Sequence, residues 1–237
     1  MAAQNLGKQA AAIRAITDYV KNGQVIGIGS GSTIVYGVQE LAKRVKSENL
    51  SVKCIPTSFQ AQQLIIEHAL PLTTLEQCPV IDVAFDGADE IDKNLTCIKG
   101  GGGCLTQEKI VAYFSRAFVV MADSSKRSDK LGTTWMKGLP IEVLPLAYKP
   151  IQQTIEKKYG GNAVLRIAQK KAGPLVTDSG NFILDWEFPL EVDLTAVANG
   201  VINIPGVLEH GLFVGMTECL YLGHQDGSVD IINKQKY

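Results

Sequence analysis

The amino-acid sequence predicts an α/β protein with a mainly parallel sheet, helices on both of its faces, and a smaller α+β domain inserted before the chain returns to the first. Three observations carry this expectation. Short apolar runs alternate with stretches of helical periodicity through the first half of the chain. The first such run passes directly into a helix through a glycine- and serine-rich turn, as parallel strands do when they bind ligands at their ends. After about Gly132 the pattern changes, and alternating apolar and polar residues on either side of a tight reversal suggest a half-exposed antiparallel sheet.

The elements follow in order. In "MAAQNLGKQAAAIRAITDYVKNG" the first 17 residues are Ala-rich, basic and free of acids, as in a transit peptide. Against that, Ile13, Ile16 and Val20 form a core-facing stripe and Gly23 can close a helix, so a folded N-terminal helix is expected. Val25 to Ile28 reads as a strand, and Ile34, Val38, Leu41 and Val45, with Val35 and Ala42 beside them, recur at helical spacing. Strand "SVKCIPT", helix "SFQAQQLIIEHA", a short "PLTTL" and the buried run "VIDVAFDGADE" come next. "LTCIKGGGG", helix "LTQEKIVAYFS" and strand "AFVVMAD" complete this part. From about Gly132 to Pro205 the expected elements are strand "IEVLP", helix "PIQQTIEKKYG", strand "NAVLRIA", a hairpin "LVTDSGNFILDW" reversing at Asp178-Ser179-Gly180, and helix "LEVDLTAVANG". The closing "GVLEHGLFVGMTECLYLGHQDGSVDII" is expected to complete the main sheet. The predicted division is thus 1–131 plus 206–237 for the larger domain and 132–205 for the smaller.

Composition narrows the function. At 237 residues and 46% hydrophobic content the chain can bury a full core. Its net charge is −1, from 23 basic and 24 acidic residues, with no basic block, so no nucleic-acid surface is expected and a small ligand is the better match. No segment is apolar enough to predict a membrane span. Cys54, Cys78, Cys97, Cys104 and Cys219 are odd in number and contain no C-x-x-C pair, which argues against a disulfide framework and a thiolate zinc site and for a reducing, cytoplasmic setting. His68, His210 and His224 have no paired-ligand spacing, so no metal is expected.

Chemistry concentrates in four places. In "GIGSGST", Gly29 and Gly31 let the backbone bend and approach a ligand, while Ser30, Ser32 and Thr33 offer hydroxyls and N–H groups at a helix N-terminus. This is a seat for an anion such as phosphate, or a capped turn with nothing bound. A dinucleotide fingerprint would need glycine where Ser32 stands, and the next strand ends without a ribose-binding acid; the lysine of a triphosphate-binding loop is absent too. In "FDGADE", Asp86, Asp89 and Glu90 crowd one strand terminus, as a solvated turn or as a functional cluster. In "KGGGGCLTQEKI", four consecutive glycines, Gly100 to Gly103, follow Lys99. Each costs about 0.5–1 kcal/mol more to order than alanine, which close backbone approach to a ligand explains better than mere connection. Glu108 falls in the first turn of the following helix, off the stripe of Ile110, Val111 and Phe114, where it is either a general base or a favourable charge at a helix terminus.

Taken together, "GIGSGST", "FDGADEID", "KGGGGCLTQEKI" and "ADSSK", in that order, with "GGNAVLR" and "TDSGNFILD" in the smaller domain, make the chain resemble ribose-5-phosphate isomerase of the A type over essentially its full length, and most closely its eukaryotic branch. The resemblance implies a Rossmann-like main domain and interconversion of ribose 5-phosphate and ribulose 5-phosphate in the non-oxidative pentose phosphate pathway, with no metal or organic cofactor. Glu108 then matches the proton acceptor. Asp86 and Asp89 match positions that contact sugar hydroxyls and assist ring opening or proton movement between oxygens, and Lys99 offsets the oxyanion. Ser30, Gly31, Ser32 and Thr33 match a substrate-binding turn. Gly87, Ala88, Gly100, Gly101, Gly102 and Lys126 match further substrate-binding positions, with Lys8 a further candidate for the phosphate. Cys97 and Cys104 flank the site as small buried residues. The resemblance also implies a homodimer or homotetramer. Two other readings carry the same fold: a sugar-phosphate sensor, for which no DNA-binding extension is seen, and a sugar-phosphate deaminase or lactonase.

Overall fold

The computed structural model describes residues 2–235. In chain order its elements are α1 (Ala2–Tyr19), β1 (Val25–Ile28), α2 (Ser32–Glu48), β2 (Lys53–Pro56), α3 (Phe59–Glu67), β3 (Val83–Asp86), β4 (Glu90–Ile91) and β5 (Cys97–Ile98). There follow α4 (Leu105–Tyr113), β6 (Phe118–Asp123), β7 (Leu139–Val143), α5 (Tyr148–Tyr159), β8 (Asn162–Leu165), β9 (Phe182–Glu187), α6 (Leu194–Val201), β10 (Val207–His210), β11 (Leu212–Phe213), β12 (Cys219–Gly223) and β13 (Val229–Asn233).

The chain divides into two compact units. The first comprises the chain up to Ala88, Gln107–Lys126 and the chain from Gly215 on; the second comprises Asp89–Thr106 and Arg127–Val214. Against the expected ranges, segments 89–106, 127–131 and 206–214 lie in the second unit. The cause is strand pairing: β5 lies between β4 and β11 in a three-stranded antiparallel sheet, with Cys97 opposite Phe213 and Ile98 opposite both Leu212 and Glu90. "GVLEHGLF" therefore builds the second unit, and only β12 and β13 return to the main sheet.

The first unit is a six-stranded sheet in the order β13-β12-β6-β3-β1-β2, parallel except for β13. β3 and β6 are buried along their whole length, as strands covered on both faces must be. Ile26, Ile28, Phe85, Val119 and Met121 pack in one core with Ile16 of α1 and Ile34, Val38 and Leu41 of α2. The opposite face takes α4: a Cβ on Gly27 would meet Val111 at 2.5 Å and Ala84 at 2.8 Å, so the glycine admits close helix–strand packing. The N-terminal helix forms, with Ile16 and Val20 of the expected stripe buried alongside Ala11, Ala12 and Ala15 but Ile13 only partly so, because the alanines take the inward face beside it; the helix ends at Tyr19 and Gly23 serves the turn that follows.

The second unit holds a four-stranded antiparallel sheet, β10-β7-β9-β8, over a core of Leu139, Ile141, Val143, Leu184 and Trp186 with Ile151 and Ile155 of α5 and Val197 and Val201 of α6. α6 starts late because Asp193 caps it, accepting from the N–H groups of Thr195 and Ala196. The sheet is half-exposed at both edge strands, β8 and β10, while β7 is buried throughout, where Gly100 packs toward Pro140 and Thr106 Oγ1 donates to Glu142 Oε2 at 2.7 Å. The expected hairpin is a correction. Its reversal is present, with Gly180 at φ 80 and its N–H on Thr177 O, but Leu175–Thr177 is not a strand, and β9 pairs with β7 and β8 instead.

Candidate active site

In the first unit the chain leaves β1 for β2 on one side and comes back as β3 on the other, so the order reverses between β1 and β3. A crevice outside the carboxyl ends of strands opens at such a reversal, and it is where open α/β sheets bind ligands. Ser30 and Asp86 stand there. Asp86 ends β3 and is 1% exposed; its Oδ1 accepts from the Ser30 N–H at 3.0 Å and from its neighbour Gly87 at 2.8 Å. Gly29 serves this carboxylate rather than a ligand, since a Cβ there would lie 2.2 Å from Asp86 Oδ1 and 2.6 Å from Phe85 O.

The turn after β1 opens α2 without a side-chain cap. Gly31, at φ 99, is the N-cap of α2 and has no side chain to offer, so the helix amides of Ser32 and Thr33 meet no capping group from it. Ser30 Oγ donates to Ser58 Oγ at 2.6 Å and lies 3.0 Å from Thr57 Oγ1, while Gly31 N–H donates to Gln60 Oε1 at 2.9 Å. Lys8 Nζ donates to Ser32 Oγ at 3.1 Å, which brings α1 to the same turn.

Lys126 closes a short 3₁₀ turn, Ser124–Lys126, directly after β6. Asp123, at the end of that strand, was not singled out from sequence. Its buried Oδ1 accepts from Ser125 N at 3.2 Å, from Ser125 Oγ, and from Gln4 of α1 at 3.3 Å, so it shapes the turn that carries Lys126. A cavity of about 330 Å³ opens beside these groups, lined also by Gly7, Gly223 and Gln225.

Glu108 requires a correction to its surroundings. The expected stripe of Ile110, Val111 and Phe114 is not the buried face: Ile110 and Phe114 are 41% and 49% exposed. Glu108 itself is 5% exposed and shares the inward face with Val111 and Ala112, at i, i+3 and i+4. Its side chain is therefore buried rather than displayed to solvent at the helix end.

Ala88 closes the first stretch of the first unit, and the remaining candidates belong to the second. The three carboxylates of "FDGADE" part there: Asp89 Oδ2 accepts from the Gly101 N–H at 2.7 Å, whereas Glu90, fully buried, accepts from the backbone N–H groups of Gly132, Thr133 and Thr134 and is a structural anchor. Lys99 is 2% exposed; its backbone N–H donates to Gly211 O, and its Nζ lies 5.4 Å from the centre of the Phe213 ring. The four glycines have different reasons. Gly100 and Gly103 take φ of 105 and 86, which other residues resist, and a Cβ on Gly101 would meet Asp89 at 2.7 Å and Trp135 at 2.8 Å. At Gly102 a Cβ would find only Cys104 Sγ, at 3.9 Å, so this position is open to a ligand.

All five cysteines are buried and none is in a disulfide. Among the described residues no group of three or more His, Cys, Asp or Glu side chains is arranged to hold a metal, and no helix is long and apolar enough to cross a membrane.

Comparison with known proteins places the chain in a family. The family model for ribose 5-phosphate isomerase A (phosphoriboisomerase A) matches residues 53–227. The ribose-5-phosphate isomerase of Sus scrofa is 55% identical over 227 residues, 96% of this chain and 74% of that one. Among solved structures, ribose 5-phosphate isomerase A of Methanocaldococcus jannaschii superposes with a TM-score of 0.89 at 42% identity, covering 96% of this chain and 98% of that one. A D-ribose-5-phosphate isomerase in complex with phospho-erythronic acid gives 0.90 at 38% identity, covering 95% and 97%. With its switch-point turn, its buried carboxylates and these likenesses along nearly all its length, the chain belongs to the ribose 5-phosphate isomerase A family.

Proposed function

We propose that this enzyme interconverts ribose 5-phosphate and ribulose 5-phosphate through an enediolate, with Glu108 as the base that removes the C2 proton and returns it to C1. Such an exchange needs a carboxylate close to the carbon and a cation or N–H groups for the oxyanion that develops. Lys99 supplies the cation. Asp86 and Asp89 contact the sugar hydroxyls and move protons between oxygens. The amides and hydroxyls of Ser30, Gly31, Ser32 and Thr33 hold the phosphate with Lys126 and Lys8, and the backbone at Gly87, Ala88 and Gly100 to Gly102 lines the sugar.

The observation that carries this reading is Glu108, 5% exposed on the inward face of α4. A charge present only to complement the helix terminus gains about 0.3–1 kcal/mol, and it does so at the surface without the penalty of burial. The homo-oligomer and the cytoplasmic setting are further parts of the proposal, the second supported by five thiols of which none is in a disulfide. A coupled assay with ribose 5-phosphate after exhaustive chelation tests the reading. Turnover is expected to survive. Loss of activity restored by one divalent ion would reject the metal-free mechanism, and binding without turnover would favour a sugar-phosphate sensor.

A further inference from the structure

We propose that Arg166, held by Asp185, is a positioning residue for the isomerisation: it fixes the glycine loop so that the N–H of Gly102 is presented to the developing oxyanion. The inference rests on the isomerase reading above.

Arg166 follows β8, and its main chain is tied on both sides, its N–H to Ile183 O and its carbonyl to the N–H of Leu175. The guanidinium then divides its donors. Nε donates to Asp185 Oδ2 at 2.7 Å and Nη2 to Asp185 Oδ1 at 2.5 Å, a bidentate pair that fixes the plane of the fork. Nη1 is left aimed at the loop, where it donates to Gly100 O at 2.9 Å and Gly101 O at 3.2 Å. Both partners are largely buried, with side-chain exposures of 13% and 19%, so water competes poorly for these bonds.

A planar trans peptide points its carbonyl and the next N–H in opposite directions. The peptide joining Gly100 and Gly101 shows the consequence, since its carbonyl faces Arg166 and its N–H is donated to Asp89. The peptide joining Gly101 and Gly102 also gives its carbonyl to Arg166, so the Gly102 N–H is turned away from the guanidinium, at the one position of the loop that lacks a crowding neighbour. Glycines on their own leave such peptides free to flip. Within the loop only Gly100 O is held, by the Gly103 N–H at 3.1 Å; the Arg166 fork adds the hold on Gly101 O that orients the next peptide, which is why a lysine, with a point charge and no planar fork, cannot replace it.

The test measures three variants, Arg166→Met, Arg166→Lys and Asp185→Asn, beside Val197→Ala, a core change in the same unit that serves as a stability-matched control. Steady-state kinetics with ribose 5-phosphate and amide hydrogen exchange of segment 100–103 are read on each. Misplacement of a catalytic donor by about an ångström costs on the order of 10²-fold, so kcat is expected to fall about 10- to 100-fold in Arg166→Met and Arg166→Lys, with KM within about threefold and faster exchange in the loop. Asp185→Asn is expected to show the same signature more weakly. A normally active wild type with unchanged kcat in Arg166→Met, full rescue by lysine, or a kcat loss equalled by Val197→Ala would each overturn this inference alone. An inactive wild type would overturn the isomerase reading itself.

Discussion

Replacing Glu108 by glutamine separates the two things a carboxylate at the start of a helix can do. The amide keeps the length and shape of the side chain, so no cavity opens beside Val111 and Ala112, but it cannot accept the C2 proton. If the charge served only the helix terminus, its loss would cost about 0.3–1 kcal/mol of stability, which for a chain of this size is a fall in Tm of at most about 4 °C, and turnover would be untouched. If Glu108 is the base, turnover falls by about 10²–10⁴, equivalent to roughly 3–5 kcal/mol of barrier at 1.36 kcal/mol per tenfold, while the fold and substrate binding persist. The assay follows exchange of the C2 proton of ribose 5-phosphate with solvent deuterium by NMR, which reports proton abstraction directly, together with Tm and the binding of a non-isomerisable pentose phosphate analogue. A folded Glu108→Gln protein that binds this analogue and still exchanges the proton at near wild-type rate would refute the assignment and move suspicion to Asp86 or Asp89.

Three further outcomes are expected. Lys126→Ala should raise KM more than it lowers kcat, because its proposed partner is the non-reacting phosphate; a fall in kcat at constant KM would place Lys126 in the transition state instead. Gly29→Ala forces a Cβ to within 2.2 Å of Asp86 Oδ1, so it should destabilise the fold by about 1–3 kcal/mol and lower activity by displacing Asp86; a Tm and kcat equal to wild type would show that the Asp86 carboxylate does not need that space. Burial raises the thiol of Cys54 to about 12, so it stays protonated between pH 7 and 9, and pushes that of Cys219 up as well; with all five cysteines buried, a thiol reagent should label the native protein little at either pH, yet find all five after denaturation. Rapid native labelling that grows with pH would contradict this.

Much of the first unit was legible because its signals are local. Apolar runs of strand length, helical spacing such as Ile34, Val38 and Leu41, and glycines at a strand–helix turn each depend on residues a few positions apart, and their order along the chain implies parallel pairing. The same local rules named Asp86, Asp89, Lys99 and Glu108 as residue types worth attention, and the order of the motifs matched them to a family. What each side chain faces was not legible, because it is set by partners distant in sequence. Periodicity in "LTQEKIVAYFS" put Ile110 and Phe114 inward and Glu108 off the stripe; the packing of Val111 against Gly27 on β1 reversed this and turned Glu108 inward. Adjacent carboxylates in "FDGADE" look alike on the page, yet Asp86 is taken up by the space at Gly29, Asp89 by the space and N–H at Gly101, and Glu90 by three amides of 132–134. Segment 89–106 joins the second unit because β5 finds its edge partner in β11, and the glycine loop it contains is oriented by an arginine and an aspartate from two other strands' worth of chain. Sequence by itself determines most of the strands and helices and which chemical groups are available, since these follow from short-range sterics and hydrophobic spacing; Leu175–Thr177, alternating yet not a strand, is the exception because pairing partners decide it. Only the tertiary structure decides which group is buried against which, because hydrogen bonds and close packing act between atoms that the chain brings together from far apart.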